Sequence, residues 1–297
     1  MTTKRILITG ATGLIGSALT DRFESGDNVV LTARSKDFHS ALPYHSFDLS
    51  QLDEIPGFLD RLQPDVIVHT AAIGSVDQAE MHQEDALRLN VQAVESIASW
   101  CRINKARMIH FSSDFVFDGT RLDWKETDEV APLSWYGKTK VMSEQKVQSL
   151  LEDHVIIRPI LVYGTAAQAR RLNLPLLVLA KLSAQQGMRI TKDQVRMPTY
   201  VDDVAWAVHQ LLNHPFKGRL HLSGPETIDV HAFSLLTADV FGLDDELLEP
   251  IQTNQAHQTG QRPMKSGFDL SLAQSTIGYR PTAPRDALVK MRETLMD

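Results

Sequence analysis

Tyr136 and Lys140 have the types and spacing that most directly suggest chemistry, because they lie four positions apart in Tyr-Gly-Lys-Thr-Lys. That spacing places both side chains on one face of a helix. A free phenol ionises near pH ~10, which is too high for an efficient acid–base catalyst at neutral pH. An ammonium group one helical turn away stabilises the phenolate and lowers its pKa, so the pair could exchange a proton with a substrate. The alternative is a packing tyrosine beside a surface lysine.

A hydroxyl group that could hold the reacting oxygen is found at Ser113, just after the apolar run Met108–Phe111. Such a run predicts a buried strand, and Ser113 would then stand at the carboxyl edge of a sheet, where ligands bind. The neighbouring Ser112 is the competing choice, and we expect it to turn inwards as a structural serine. Ser113, Tyr136 and Lys140 are therefore the predicted catalytic residues.

Short apolar runs alternate with longer helical patterns in the first half of the chain. This order predicts a parallel sheet with helices on both faces, which is a doubly wound α/β fold of the Rossmann type. The predicted strands are Arg5–Thr9, Asn28–Ala33, Val66–His69, Met108–Phe111 and Val155–Arg158. The predicted helices between them are Leu14–Ser25, Gln51–Leu62, Glu84–Asn104 and Tyr136–Leu151.

A glycine-rich segment, Gly10-Ala11-Thr12-Gly13-Leu14-Ile15-Gly16, joins the first predicted strand to the first predicted helix. Glycines allow a tight turn and a close approach to a pyrophosphate, which the N–H groups of the helix N-terminus stabilise. The spacing is Gly-x-x-Gly-x-x-Gly instead of Gly-x-Gly-x-x-Gly, but its position between strand and helix predicts a dinucleotide site. The alternative is a turn that serves only to pack the helix against the strand.

The end of the second predicted strand indicates which dinucleotide would bind. An NAD site usually has an acidic residue here for the ribose hydroxyls, whereas this chain has Arg34-Ser35-Lys36. A guanidinium suits a 2′-phosphate in charge and in donor geometry, so NADP(H) is favoured and NAD(H) is possible. The alternative is a solvated basic turn. Asp48-Leu49 is placed to meet the adenine, and the small residues of Thr70-Ala71-Ala72 would leave room for the nicotinamide end.

The second half of the chain has a less regular pattern. Helices are predicted at Asn173–Gln186 and Ala283–Met296, and a further helix is predicted to start at Asp202-Asp203. We expect residues 1–165 to form the NADP-binding Rossmann domain and residues 166–297 to form mostly a smaller C-terminal substrate-binding lobe. Within that second part, residues at about 190–225 are expected to return to the Rossmann domain.

Four segments together resemble an extended short-chain dehydrogenase/reductase: Gly10–Gly16, Phe111–Gly119, Tyr136–Lys140 and Arg158–Gly164. More narrowly, Ser-Ser-Asp-Phe-Val-Phe-Asp-Gly at 112–119 is similar to the Ser-Thr-Asp-Tyr-Val-Phe-Asp-Gly stretch of the dTDP-4-dehydrorhamnose reductase family. Further segments that resemble this family are Glu126–Leu133, Asp193-Gln194 with Pro198-Thr199, and Arg262-Pro263 with Ser266 and Asp269. The resemblance therefore runs over nearly the whole chain.

This resemblance implies NADPH-dependent reduction of a nucleotide-linked 4-keto-6-deoxysugar, with Ser113, Tyr136 and Lys140 as the catalytic triad. It also implies that Asn90 supports the lysine through a water. The motifs and the resemblance together predict these cofactor-binding residues: Gly10, Thr12, Gly13, Leu14, Ile15, Gly16, Arg34, Ser35, Asp48, Leu49, Thr70, Ala71, Ala72, Asn90, Tyr136 and Lys140. The substrate-binding residues implied are Ser113, Asp114, Phe115, Val162, Tyr163, Gln194 and Pro198.

The chain departs from the family pattern at two positions. Ser113 replaces the usual threonine, which preserves the hydroxyl, and Leu161 stands where the family often has a tryptophan before the Val-Tyr pair. The second change touches the sugar pocket and leaves the identity of the sugar, the base and the product stereochemistry open.

Three other functions are found among proteins that resemble this reductase family. Sugar-nucleotide 4,6-dehydratases carry an Asp-Glu pair after the catalytic hydroxyl, whereas Asp114 is followed by Phe115 here, so the base for elimination is absent. A sugar-nucleotide epimerase keeps the same triad and stays an alternative. A non-catalytic regulatory subunit is the third, because the β subunit of methionine adenosyltransferase resembles the same family and binds NADP.

Composition limits the remaining classes. The net charge of −7 argues against a nucleic-acid partner. Cys101 is the only cysteine among 297 residues, so no intramolecular disulfide can form. No apolar run reaches the ~20 residues needed to span a bilayer, and no signal peptide is recognised, so we expect a cytoplasmic protein that does not bind membranes. No histidine spacing predicts a metal site. A small-molecule sugar nucleotide is the expected partner, and a homodimer is possible.

Overall fold

Seven parallel strands form the central sheet of the computed structural model, which describes residues 4–24, 27–167, 169 and 172–296. All strands of the structure are β1 (Ile6–Thr9), β2 (Val29–Ala33), β3 (Tyr44–Ser46), β4 (Val66–His69), β5 (Arg107–Phe111), β6 (His154–Pro159), β7 (Val162–Tyr163), β8 (Met188–Thr191), β9 (Val195–Arg196), β10 (Thr199–Tyr200), β11 (Gly218–Leu222), β12 (Ile228–Asp229) and β13 (Leu248–Ile251). The central sheet has the order β11-β6-β5-β4-β1-β2-β3. The chain moves outwards from β1 through β2 and β3 and then returns to the other side of β1 with β4. The switch between β1 and β4 is where a doubly wound sheet opens a ligand crevice.

Helices cover both faces of this sheet, so the predicted Rossmann-type doubly wound fold is confirmed. The helices are α1 (Leu14–Thr20), α2 (Ile55–Leu62), α3 (Val76–Met81), α4 (Gln83–Leu87), α5 (Ala93–Asn104), α6 (Trp135–Leu150), α7 (Leu174–Ser183), α8 (Val201–Leu211), α9 (Val230–Phe241), α10 (Ser271–Ile277) and α11 (Pro284–Met296). Short 3₁₀ turns occur at Leu52–Glu54, Asp114–Val116 and Thr253–Gln255, and a π-helical turn occurs at Arg88–Gln92.

Three predicted helices differ from the structure by more than three residues at one end or are interrupted, whereas the other predicted bounds are offset by at most three residues. The first was expected to reach Ser25, which lies outside the described residues, but α1 ends at Thr20. The second begins with a 3₁₀ turn, and α2 itself starts at Ile55. Pro56 suits the first turn of a helix because an N–H group at that position would have no partner within the helix. The third, 84–104, is interrupted by the π-helical turn at 88–92. Such turns often occur at functional sites.

The inner strands β1 and β4 are largely apolar because both of their faces are buried, as expected for parallel sheets. In β1, Ile6 and Ile8 pack into the apolar cluster on one face, while Leu7 packs into the cluster on the other. The same alternation occurs in β4, where Ile67 opposes its two neighbours. The two clusters hold the sheet rigid, so that the strand ends present polar residues at fixed positions.

The C-terminal part of the chain has its own apolar core, in which Tyr163, Phe233 and Leu288 are buried together. The chain also returns to the sheet after residue 200. Helix α8 packs against α1, and β11 pairs with β6 at the edge of the sheet. The division into residues 1–165 and 166–297 stays a prediction.

Candidate active site

The glycine turn between β1 and α1 is shaped by close backbone approaches. Gly10 has φ +72°, and a Cβ atom there would lie 2.7 Å from Thr70 Oγ1 and 2.8 Å from the backbone nitrogen of Ala71. Gly13 donates its N–H to the Gly10 carbonyl at 2.8 Å. A Cβ atom at Gly16 would overlap with that carbonyl oxygen. The first and third glycines are therefore required by the turn itself, which leaves the start of α1 uncovered.

A cleft of about 470 Å³ opens beside this turn, at the carboxyl ends of β1, β2 and β4. The predicted cofactor residues that line it are Gly10, Thr12, Gly13, Arg34, Ser35, Asp48, Leu49, Thr70, Ala71 and Ala72. The lining also includes residues that sequence reasoning missed, namely Thr32, Ala33, Phe47, Ile73, Gly74, Gln78 and Leu89. Ala33, Phe47 and Ile73 directly adjoin predicted segments and could have been found by extending them, whereas no sequence signal pointed to Gln78.

The remaining predicted cofactor residues do not line this cleft. They are Leu14, Ile15, Gly16, Asn90, Tyr136 and Lys140. Leu14 and Ile15 pack against the apolar cluster on one face of the sheet. Gly16 acts inside the turn, as described above. Tyr136 and Lys140 lie on α6, which packs against the element that contains Asn90.

Arg34 stands exposed at the end of β2, on the rim of the cleft. Among the described residues, no hydrogen bond or ion pair engages its guanidinium group. The turn around it is held by Tyr44, whose single hydroxyl proton is shared between the Ala33 carbonyl at 3.0 Å and the Ser35 carbonyl. Asp48 accepts the N–H of Ser50 at 2.9 Å and so caps the turn beyond β3. The rim of the cleft therefore offers an uncompensated cation on a fixed turn.

Tyr136 and Lys140 both lie in the first turns of α6, which begins after Ser134, whose Oγ accepts the N–H of Gly137 at 3.2 Å. The Lys140 ammonium lies 5.8 Å from the centre of the Tyr136 ring. It is only 3% exposed and donates to the Phe111 carbonyl at 2.9 Å. Burial lowers the pKa of Lys140 to about 8, and the negative charge of Glu144 opposes that shift.

Ser113 is placed on a short 3₁₀ turn directly after β5 and is only 7% exposed. Its hydroxyl accepts the N–H of Phe115 at 3.3 Å and donates to Asp114 Oδ1 at 3.0 Å. The ring of Phe115 meets the Tyr136 ring edge-on, with 5.7 Å between the centres. The structure therefore brings the Ser113 turn and the start of α6 together.

Gly137 explains how this approach is possible. A Cβ atom at this position would overlap with the Phe115 carbonyl oxygen and would lie 2.9 Å from Pro132 Cβ. Only glycine therefore lets α6 come this close to the turn that carries Ser113. Sequence reasoning treated Gly137 as a spacer between Tyr136 and Lys140, although a glycine inside a predicted helix is a signal of close packing.

Asp114 is a fully buried carboxyl group beside the candidate hydroxyl. Burial raises its pKa, and the nearby charge of Arg196 works against that shift. Its Oδ2 atom has no hydrogen-bond partner among the described residues. Arg196 is itself buried, and its guanidinium donates to the carbonyls of Val195 at 2.8 Å and Pro263 at 2.7 Å. Asp114 is thus a buried acid directly beside Ser113, and Ser266 is the other hydroxyl close enough to lower its pKa.

Asn90 lies in the π-helical turn and uses its side chain to fix the loop after β4. Its Oδ1 accepts the Ile73 N–H at 2.8 Å, and its Nδ2 donates to the Ile73 carbonyl at 3.2 Å. Nδ2 also donates to Thr139 Oγ1 on α6 at 3.1 Å. Asn90 therefore joins the wall of the cleft to the helix of Tyr136 and Lys140. Its support of the lysine through a water stays a prediction.

The predicted substrate residues beyond Phe115 have different surroundings. Gln194 is buried and donates to Thr253 Oγ1 and Gln258 Oε1, each at 3.1 Å. Pro198 is buried beneath Gly224, where a Cβ atom would overlap with the Pro198 carbonyl. Val162 is half-buried, but the Tyr163 ring packs against Phe233 in the apolar core. The side chain of Tyr163 is thus fully buried and does not line an open surface.

Leu161 carries backbone strain at the position where the family pattern often has a tryptophan. Its φ is +37°, which is the left-handed region that bulky residues rarely adopt. The conformation is held by Thr199, whose N–H donates to the Leu161 carbonyl at 3.2 Å and whose hydroxyl donates to the Ile160 carbonyl. Strain of this kind tends to persist at ligand sites.

The described residues hold no group of three or more histidine, cysteine, aspartate or glutamate side chains arranged for a metal ion. No helix formed by these residues combines the length and the apolar character needed to cross a membrane.

Comparisons with known proteins place these features in a family. A family model described as the RmlD substrate binding domain matches residues 4–296. The chain is 32% identical to methionine adenosyltransferase 2 subunit beta of Bos taurus, over 95% of this chain and 84% of the relative. It is 28% identical to the dTDP-4-dehydrorhamnose reductase of Aggregatibacter actinomycetemcomitans, over 97% of this chain and 98% of the relative.

Its structure is similar to that of the dTDP-4-dehydrorhamnose reductase of Bacillus anthracis, solved in complex with NADP. The TM-score is 0.88 and the identity is 22%, over 99% of this chain and 100% of that chain. The predicted resemblance to this reductase family is therefore confirmed over nearly the full length. The chain belongs to the family described by the RmlD substrate binding domain.

Proposed function

We propose that the protein is an NADPH-dependent reductase that converts the keto group of a nucleotide-linked 4-keto-6-deoxysugar to an alcohol. The observation that carries this proposal is the approach of the Ser113 turn to the helix of Tyr136 and Lys140, beside a cleft with a glycine turn. The RmlD family match and the likeness to a dTDP-4-dehydrorhamnose reductase support the substrate class.

The cleft fits a dinucleotide. The backbone at Gly10 leaves no room for a Cβ atom, and the N-terminus of α1 behind it favours the negative charge of a pyrophosphate. The guanidinium of Arg34 on the rim, which no described residue engages, suits a 2′-phosphate and so favours NADPH over NADH. Asp48 and Leu49 would border the adenine, and Ala71 and Ala72 would border the nicotinamide.

Tyr136, Lys140 and Ser113 would each have a separate role in the reaction. When bound, NADPH supplies the hydride that reduces the carbonyl carbon of the sugar. The Tyr136 phenol donates its proton to the carbonyl oxygen, which becomes the hydroxyl of the product. The Lys140 ammonium favours the resulting phenolate and holds the ribose of the cofactor. Ser113 orients the carbonyl oxygen, so its hydroxyl must turn from Asp114 towards the substrate.

The substrate would lie on the side of this site formed by Ser113, Asp114 and Phe115, with Gln194 and Pro198 behind them. The nucleotide part is a proposal based on the family, and a homodimer stays a prediction. Leu161 stands where the family often has a tryptophan, and this smaller side chain would change the wall of the sugar pocket.

The test is a panel of nucleotide-linked 4-keto-6-deoxysugars, with dTDP and UDP as the carriers, in which oxidation of NADPH is followed at 340 nm. We expect turnover with at least one member, and slower turnover when NADH replaces NADPH. Conversion of a sugar nucleotide to its epimer without net consumption of NADPH would favour the epimerase. No turnover with any member would contradict the proposal.

A second candidate is a regulatory subunit that binds NADP without turnover. It is favoured by the 32% identity to methionine adenosyltransferase 2 subunit beta, which exceeds the identity to the reductase. This candidate predicts that the protein binds NADPH, reduces no sugar nucleotide of the panel and co-purifies with a partner enzyme. The reductase predicts turnover by the isolated chain.

A further inference from the structure

A buried ion pair stands one helical turn beyond Lys140. Arg158 on β6 donates to Glu144 on α6 through two atoms, with Nε at 2.8 Å from Oε1 and Nη2 at 2.6 Å from Oε2. Arg158 is 0% exposed and Glu144 is 3% exposed. Because a bidentate guanidinium fixes both oxygens of the carboxylate, Glu144 cannot turn without leaving two buried charges unpaired.

Glu144 also contacts the strand end that carries the candidate hydroxyl. The Ser112 hydroxyl donates to Glu144 Oε1, and Ser112 directly precedes Ser113. Arg219 on β11 approaches the other oxygen, with its Nε 3.5 Å from Oε2. A single carboxylate therefore joins α6 to β5, β6 and β11 underneath the site.

The same carboxylate lies on the helix face that carries Lys140, and the two side chains bond to adjacent residues, Lys140 to the Phe111 carbonyl and Glu144 to the Ser112 hydroxyl. Spacing of four residues places Lys140 and Glu144 on one face of α6, and Glu144 is the acid whose charge favours the Lys140 ammonium. The other titratable groups around Lys140 are Tyr136 on its own helix, His69 on β4 and His110 on β5.

Neither histidine can supply a negative charge, and both are held neutral. Burial and the charge of Lys140 lower the pKa of His69 to about 3, and they lower that of His110 as well. The Ser143 hydroxyl donates to the Lys140 carbonyl at 2.8 Å, so His110 must donate its Nε2–H to Ser143 Oγ at 2.9 Å. The neutral imidazole groups therefore do not stabilise the Lys140 ammonium, whereas the charge of Glu144 does.

We propose that Glu144 is a positioning residue of the site, which Arg158 fixes in place and which holds both the Lys140 ammonium and the Ser112–Ser113 strand end. The catalytic part of this proposal rests on the proposed function, but the effect on Lys140 does not. Glu144 touches neither substrate nor cofactor in this scheme. It acts through Lys140 and through Ser113.

The direct test is titration of Lys140 in the full chain, by NMR of protein labelled at lysine Cε, with Lys140→Arg used to identify the resonance. In Glu144→Gln we expect the Lys140 midpoint to fall by about one pH unit or more, because an acid is lost and the Arg158 charge is left without its partner. An unchanged midpoint would overturn the proposal. A purely structural role would lower stability without moving this midpoint.

Three control variants distinguish the loss of the Glu144 charge from the loss of its contact to Ser112 and from a failure to fold. Glu95 on α5 is an acid whose Oε1 lies 2.6 Å from the ammonium of Lys146, which is on α6 like Lys140. Glu95→Gln should leave the Lys140 midpoint unchanged. Ser112→Ala removes the contact to the strand end but no charge, and it should also leave the midpoint unchanged. If Glu144→Gln does not fold, Glu144→Gln with Arg158→Met removes both buried charges, and the midpoint should still fall.

The second readout is turnover of NADPH with the sugar nucleotide identified in the panel. In Glu144→Gln the pH above which kcat declines should move down together with the Lys140 midpoint, while the KM for NADPH changes little. In Ser112→Ala kcat should fall without that shift. If the midpoint moves but kcat keeps its wild-type pH profile, the catalytic role of Glu144 is wrong. If no sugar turns over in the wild type, the proposed function fails while the titration still decides the effect on Lys140.

Discussion

The Ser113 hydroxyl donates a hydrogen bond to Asp114 Oδ1 at 3.0 Å, so its proton is committed to a buried neighbour before substrate binds. The same hydroxyl accepts the Phe115 N–H at 3.3 Å, which fixes its position at the start of the 3₁₀ turn. Substrate binding must therefore compete with Asp114 for the proton of Ser113. The ionisation of Asp114 controls how strong that competition is, since an ionised carboxylate is the stronger acceptor.

The first prediction concerns Asp114→Asn and stability. Burial raises the pKa of Asp114 above its unfolded value of about 3.9, so the native state binds more protons than the unfolded state between the two values. Stability of the wild type therefore falls as pH rises through that window, by about 1.4 kcal/mol for each unit of difference. Asp114→Asn lacks this loss. In urea unfolding from pH 4 upwards, the free energy of unfolding of the variant should rise relative to that of the wild type. A difference in free energy that stays constant with pH would contradict the assignment.

The second prediction concerns Lys140→Met. The pKa of Lys140 is lowered to about 8, against an unfolded value of about 10.4. Between these values the unfolded state binds more protons, so the stability of the wild type rises with pH. Relative to Lys140→Met, the wild type should gain about 3 kcal/mol between pH ~8 and ~10.4, and the difference should be constant below pH ~8. Equal pH profiles of unfolding would show that Lys140 is not desolvated.

The third prediction concerns Arg34→Ala and cofactor choice. Loss of a charge-assisted contact to a 2′-phosphate costs ~1.5–3 kcal/mol, so the Kd for NADPH should rise about 10- to 100-fold. The Kd for NADH should change little, since NADH has no such phosphate. Lys36→Ala removes a neighbouring exposed cation and serves as the matched control. Equal weakening of both cofactors by Arg34→Ala would remove the argument for NADPH.

The fourth prediction compares glycines of the first turn. Gly16→Ala would drive a Cβ atom into the Gly10 carbonyl and should destabilise the fold. Gly13→Ala would place its Cβ atom 3.2 Å from the same oxygen, which a small shift can relieve. Gly57→Ala, in the open on α2, should be neutral or stabilising by up to ~1 kcal/mol. Thermal unfolding should rank the variants in that order, and Gly16→Ala as stable as Gly57→Ala would contradict the described turn.

The local part of this architecture could be predicted from the sequence. The apolar runs of the sheet, the glycine turn and the Tyr136–Lys140 spacing each depend on neighbours within a few residues. Three strands differ by a single residue at one end, as in β5, which begins at Arg107 instead of Met108. Local patterns determine such features because burial on both faces requires continuous apolar residues.

The features that sequence reasoning missed depend on contacts between distant segments. Gly137 is required by the Phe115 carbonyl, and the observed partner of the predicted residue Asn90 is Ile73 in the loop after β4. Gln78 lines the cleft only because α3 folds back beside it. The buried pair of Glu144 and Arg158 joins a helix to a strand. No spacing rule within one segment predicts which distant residue will meet it.

In the proposed reaction, Tyr136 is the acid that protonates the carbonyl oxygen as the carbonyl carbon is reduced. The most direct measurement is the rate of NADPH oxidation by Tyr136→Phe with the 4-keto-6-deoxysugar nucleotide that the wild type uses, beside the Kd of the same variant for NADPH. We predict that kcat falls by about 100-fold or more while the Kd for NADPH stays at its wild-type value. Wild-type turnover by Tyr136→Phe would show that another group supplies the proton and that Tyr136 is not the acid.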